Sequence, residues 1–372
     1  MVAAASVLRL FSQARFLGGL ANRLAWWASP HRPRRKGRWL GPTLGLEGMI
    51  LPSRARHNAM ERKMIEMILA SLVPIFLVMV LGFVAGLTKD IDNRNIGSLN
   101  ALVMNFALPA AMFTAMAQTP RDAMIGQANV ALALVAAMLV VFAAVFVIQT
   151  RLFGTDRRES ALLALTASAP NVGSAGLPVI AAVFSQSASV SVAVAVAVAA
   201  VVATPLSLVL LEAAGRSERS IVNVVSAALL KPIVIAPVFG LLLSLGGVAL
   251  PVLLDSTLTL VGQGASGAAL FLTGLVLSAQ PFRLSTGVGV AAVMKNVVQP
   301  VLAGALALLL LQGEEARVAV VLMAVPSGAF GVLFAIRYGV PSTQVGTTLI
   351  VSTVGSAATL AASIVLSASI WG

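Results

Sequence analysis

From Met64 onward, long apolar runs alternate with short polar clusters. A helix needs about 20 mainly apolar residues to cross the hydrocarbon core of a bilayer. Cutting the chain at its charge and turn clusters gives ten such stretches: approximately 65–87, 96–117, 129–151, 159–184, 188–212, 224–245, 251–278, 286–311, 316–337 and 343–370. The cuts fall at Thr88–Arg94, Thr119–Asp122, Gly154–Arg158, Gly215–Arg219, Gly246-Gly247, Gln280–Arg283 and Gln312–Glu315. In the fifth stretch Val and Ala alternate from Val192 to Val198, a strand-like period. A lone open strand cannot satisfy its backbone in lipid, so this stretch is also expected to be helical.

Two of the ten stretches concentrate helix breakers together with polar side chains. Span four reads Ser168-Ala169-Pro170-Asn171-Val172-Gly173-Ser174-Ala175-Gly176-Leu177-Pro178, and span nine reads Val325-Pro326-Ser327-Gly328-Ala329-Phe330-Gly331. Proline inside a helix removes one hydrogen bond and clashes with the preceding turn. At membrane depth this is tolerated where the freed groups face protein or a water-lined cavity. Spans four and nine are five apart, the spacing of two five-helix halves, and an odd number of spans turns the second half upside down. Inverted repeats with paired interrupted helices mark secondary transporters, which hold substrate at the midplane between half-helix ends. The expected divisions are a basic extension over 1–63, a first five-helix repeat over 64–214 and a second over 215–372.

Composition narrows the class. The chain has 372 residues, 59% hydrophobic and 10% charged, with no cysteine. Soluble domains carry about 25% charged residues, which excludes a soluble globular enzyme. The net charge of +12 is not a nucleic-acid signature, because 12 of the 25 Lys and Arg residues lie in the first 63 residues. Both histidines, His31 and His57, lie there too. The apolar body thus lacks His and Cys and offers no His-based triad, thiolate or metal set, so no enzyme activity, metal or cofactor is expected. The extension is basic and poor in acids. It reads as a targeting peptide, a surface helix on anionic lipid, or the product of an upstream start codon.

Lys89, Arg94, Arg151, Arg157, Arg158, Arg216, Arg219, Arg283 and Arg337 fall in one set of loops, and only Arg121 and Arg317 in the other. The richer set faces the cytoplasm by the positive-inside rule, including the loop between spans five and six. Lys295 lies well inside span eight, in Met294-Lys295-Asn296-Val297-Val298-Gln299-Pro300. A central charge costs about 2.5–3.5 kcal/mol on insertion scales, which makes Lys295 a functional-site candidate, with the nearby amides Asn296 and Gln299 as neutral hydrogen-bonding neighbours. The competing reading is a Lys that snorkels to the surface. No carboxylate lies near the centre of any span. Helix N-termini and Lys favour anions, so an organic anion is the expected substrate rather than a metal or alkali cation.

The body resembles the auxin efflux carrier family, which includes plant carriers and bacterial malonate-type permeases. The resemblance rests on Leu72-Val73-Pro74-Ile75-Phe76, on Leu99-Asn100-Ala101-Leu102-Val103-Met104-Asn105-Phe106-Ala107-Leu108-Pro109, on Asn171–Pro178, on Lys231-Pro232, and on Pro326-Ser327-Gly328 with Phe334–Val340. It implies an all-α membrane protein of ten helices in two inverted repeats, with helices four and nine broken and crossing. It also implies an elevator-like secondary carrier of a small carboxylate bound at the crossing. The substrate-binding candidates are Asn105, Pro170, Asn171, Gly173, Ser174, Lys295, Asn296, Pro326, Ser327 and Gly328. The expected partners are the anion and the lipid bilayer, with a homodimer left open, in the bacterial inner membrane. A passive anion channel of the same fold is the alternative.

Overall fold

The computed structural model describes residues 73–92, 96–215 and 221–372. The basic stretch 1–63, the opening of span one, and Arg94, Arg216 and Arg219 lie outside the described residues. Among the described residues the secondary structure is helical, apart from one isolated antiparallel bridge between Pro170 and Ser327. The helices are α1 (Val73–Leu87), α2 (Gly97–Ala117), α3 (Arg121–Gly126), α4 (Ala128–Arg151), α5 (Arg157–Ser168), α6 (Val172–Val183) and α7 (Gln186–Ala214). They continue with α8 (Ile221–Leu229), α9 (Pro232–Gly246), α10 (Val252–Leu277), α11 (Thr286–Leu310), α12 (Gly313–Ala324), α13 (Phe330–Tyr338) and α14 (Thr343–Trp371).

Six of them, α2, α4, α7, α10, α11 and α14, are long and apolar enough to cross a membrane. The Val/Ala alternation of span five sits in α7, as helix. Span four is the pair α5 and α6, and span nine is the pair α12 and α13. Span six differs from expectation: a short helix, α8, stops at Leu229 and α9 starts at Pro232. Pro232 lacks an N–H and bars its predecessor, Lys231, from helical geometry, so the helix restarts with proline in its first turn. Helix α9 closes on Gly247 in the left-handed conformation at φ 66°, where the absence of a Cβ removes the strain.

Proline also shapes the long helices. Widened π turns occupy 103–107, 172–176, 199–203 and 294–298. Each stands two residues before a proline: Pro109, Pro178, Pro205 and Pro300. A proline clashes with the carbonyl four residues back. In each case the residue just before the proline donates to the carbonyl five back instead, as Leu108 does to Val103 and Gln299 to Met294. The polar candidates Asn105, Ser174 and Asn296 all sit inside these π turns, a feature often found at functional sites.

Helix α2 lies against α9 and α10, while α4 packs on α5 and α11, and α12 on α11 and α14. Small residues permit the closest approaches. A Cβ on Gly82 would overlap the carbonyl of Phe271, and one on Gly274 the carbonyl of Met79, so α1 and α10 touch backbone to backbone. Where apolar lipid leaves no hydrophobic drive between helices, such contacts supply the van der Waals packing that holds them.

Gly274→Val is expected to destabilise the protein by about 1–3 kcal/mol through overpacking. Thermal melts in detergent check this. Gly173→Ala is the control, since a Cβ at Gly173 meets nothing within 4 Å.

Candidate functional site

Interrupting a helix leaves carbonyls bare at one new end and N–H groups bare at the other. The structure settles both ends differently. Helix α5 stops at Ser168, Ala169 turns extended, and α6 begins at Val172. Helix α12 stops at Ala324 and α13 begins at Phe330. The two unwound segments run antiparallel and bond to each other: Asn171 N–H donates to Pro326 O at 2.7 Å, and Gly328 N–H donates to Ala169 O at 2.9 Å. Pro170 and Pro326 carry no N–H, so each break has one donor fewer to satisfy. This is the expected crossing of spans four and nine.

The carbonyl ends of α5 and α12 are met by one helix, α11. Lys295 Nζ donates to Met323 O at 2.7 Å and Gln299 Nε2 donates to Ser168 O at 2.6 Å. Both side chains are fully buried. Their i, i+4 spacing puts them on one face of α11. Between them, Asn296 Nδ2 donates to Ser352 O at 2.9 Å, and Ser352 Oγ donates to Asn296 Oδ1 at 2.8 Å. Ser352 Oγ in turn accepts from Ser327 N–H at 3.1 Å. A Cβ on Gly355 would come within 2.6 Å of the Asn296 amide, so glycine leaves that amide its place.

The opposite, N-terminal ends of the second half-helices line a cavity of about 220 Å³. Pro170, Asn171, Gly173, Ser174, Gly328 and Phe330 contribute from the crossing, and Ser266 from α10. Leu108 and Met112 of α2 and Leu270 of α10 make apolar walls. Asn171 Oδ1 accepts from Ser174 N–H at 3.3 Å and so caps α6, as a side-chain oxygen does at an N-cap. Ser174 and Ser266 hydroxyls bond to each other across the cavity. No carboxylate is among the lining residues.

The sequence candidates therefore separate. Pro170, Asn171, Gly173, Ser174 and Gly328 line the cavity. Pro326 and Ser327 form the crossing beneath it, with Ser327 only 3% exposed. Lys295 and Asn296 lie behind the crossing, off the cavity, because the Met323 carbonyl takes the Lys295 amine and the Ser352 carbonyl and hydroxyl take the Asn296 amide. Lys295 does not snorkel: it is wholly buried. Asn105 is elsewhere, accepting from Arg337 Nη1 at 2.9 Å beside a small second cavity with Lys231. There Lys231 pairs with Glu212 at 3.3 Å, and Tyr338 OH donates to Glu212 at 3.0 Å. Gln299 was anticipated only as a neutral neighbour of Lys295, and Ser352 and Ser266 were not anticipated. The signal for Gln299 is its place four residues beyond Lys295, and for Ser266 the small-residue run Gly264-Ala265-Ser266-Gly267. Ser352 has no such signal in a serine-rich helix.

A bundle of apolar helices around a cavity at two crossed, interrupted helices is the architecture of a membrane transport protein. The chain belongs to the family described as Membrane transport protein, the auxin efflux carriers, which it matches over residues 67–364. It is a multi-pass membrane protein of that family. It is 29% identical over 305 residues to "Uncharacterized transporter YfdV" of Escherichia coli (strain K12), covering 78% of this chain and 95% of that one. It is 26% identical over 299 residues to "Putative malonate transporter" of Rhizobium meliloti (strain 1021), covering 77% and 92% respectively.

Gln299→Leu is expected to leave Ser168 O bare in an apolar interior, at a cost of about 1–3 kcal/mol. The melting temperature of the purified variant, read against Gln299→Asn, measures it.

Proposed function

We propose that the chain is a secondary carrier of a small organic anion bearing a carboxylate, held in the cavity at the crossing. The observation that carries this reading is the polarity of the crossing: its carbonyl ends are capped by α11, and its N-terminal ends line the cavity. A helix N-terminus carries about half a positive charge and presents N–H groups, a ready site for an anion. The side-chain amide of Asn171 and the hydroxyls of Ser174 and Ser266 add neutral donors. The walls of Leu108, Met112 and Leu270 suit the apolar part of an organic acid better than an inorganic ion. A relative whose name gives malonate as cargo agrees with this class.

The ten stretches are taken as ten spans in two inverted five-helix repeats. In this reading α1, α2, α9 and α10 form a scaffold, and the crossing moves against it with its neighbours in an elevator-like step. The membrane is the bacterial inner membrane, with the Lys- and Arg-rich loops in the cytoplasm. A passive anion channel would use the same cavity, and saturable counterflow separates the two. Membership of a transport-protein family speaks for transport rather than catalysis.

The test is counterflow of labelled malonate and an aromatic acid into proteoliposomes loaded with unlabelled carboxylates. Wild type is expected to show saturable counterflow. Asn171→Asp keeps an oxygen to cap Ser174 N–H and replaces the amide donor with negative charge. It is expected to melt near wild type and lose at least 10-fold in kcat/KM, the scale of one hydrogen bond to a charged group. Gly173→Val, which fills open space, is expected to raise the half-saturation concentration more for the aromatic acid than for malonate. Unchanged transport in both variants would remove the cavity as the binding site.

A further inference from the structure

The charge of Lys295 is unused by the anion site, and its surroundings are unusual. The amine is wholly buried, and among the described residues it has no ion pair. Helices α4, α5, α12 and α14 pack against its π turn. Their carboxylates, Glu159, Glu314 and Glu315, all lie in first helical turns. At 1.5 Å per residue, Glu159 is about 13 Å along α5 from Ser168, and Glu315 about 12 Å along α12 from Met323. An isolated buried ammonium is costly, so something else must compensate it.

Two helix ends do so. Each helix C-terminus carries about half a negative charge. Helix α12 ends at Ala324, with Met323 O on the amine, and α5 ends at Ser168, whose carbonyl is held by Gln299 one turn away on the same face. Two such ends together oppose about one positive charge. In transporters built on interrupted helices, half-helix C-terminal ends and unwound carbonyls are where the coupling cation binds. Here the chain's own ammonium is in that place.

We propose that Lys295 is a tethered replacement for a coupling cation: its ammonium opposes the two half-helix C-termini, and the protein neither needs nor binds sodium or another alkali cation there. The part of this inference that concerns turnover rests on the carrier reading above; the part that concerns charge does not.

The first experiment therefore needs no substrate. Wild type, Lys295→Ala and Lys295→Met are melted in detergent in choline chloride. The choline is then exchanged for sodium, potassium or methylammonium at constant ionic strength. Wild type is expected to melt at one temperature in all four salts. Both variants are expected to fall by roughly 5 °C or more in choline, since a shift of that size follows from losing a compensated buried charge. Methylammonium, which fits the space left by the shortened side chain, is expected to restore at least half of the loss in Lys295→Ala. It is expected to restore none in Lys295→Met, whose side chain fills that space. Should Lys295→Ala fail to fold in choline, its folded yield with and without methylammonium during extraction gives the same answer. Lys295→Met melting like wild type would overturn the proposal, as would absence of rescue in Lys295→Ala or a specific rise of wild type in sodium. In proteoliposomes, wild-type counterflow is expected to persist when choline replaces sodium on both faces, and a sodium requirement would overturn the proposal. A wild type silent for every anion would instead count against the carrier reading and leave the melts to decide the role of Lys295.

Discussion

The structure depends on how unwound backbone is satisfied inside an apolar bundle. A peptide group without a partner there costs free energy comparable to a whole hydrogen bond, and water is not at hand to repair it. Spans four and nine each open at a proline, and each break frees groups that neither can satisfy alone. They satisfy one another: Asn171 and Gly328 donate across the antiparallel bridge to Pro326 and Ala169. Neither break is stable by itself, so the two halves of the chain are tied at this point.

The crossing is also electrically sorted. Helix α11 covers the side where carbonyls end, through Lys295 and Gln299. Helix α14 supports it with Ser352, which holds both Asn296 and the Ser327 N–H. The side where N–H groups begin is left to the cavity. One helix with two capping side chains thus converts a symmetric problem, two broken helices, into a site with a sign.

Prolines were the most legible feature of the sequence. Pro170 and Pro326 marked the two breaks, and the family resemblance implied that the broken helices meet, as the bridge between Pro170 and Ser327 has them do. The cavity-lining members Pro170, Asn171, Gly173, Ser174 and Gly328 were legible because they sit at the breaks themselves. Lys295, Asn296 and Gln299 were legible as polar residues at apolar depth, and Asn105 through the family resemblance, but none in what it faces. A polar side chain in lipid must find a partner, and the sequence does not say whether that partner is a ligand or a backbone carbonyl on another helix. Nor did it show that Pro109, Pro178, Pro205 and Pro300 each widen the turn before them, which rotates those polar residues relative to a regular helix.

The sequence alone determined that the chain is helical and built for a membrane, where its helices are interrupted, and that its body holds no His or Cys. These follow from local rules: run length, proline stereochemistry and residue inventory act within a few turns of chain. Tertiary structure decided that Lys295 and Gln299 cap α12 and α5, that Ser266 and Ser352 join the site from distant helices, and that Asn105 pairs with Arg337 away from it. Each of those contacts spans more than 50 residues of chain, except Lys295 with Met323 and Ser352 with Ser327, and all depend on the rotation of one helix about its axis against another. A rotation of that kind is set by packing of small residues such as Gly82, Gly274 and Gly355, and no local rule reads it.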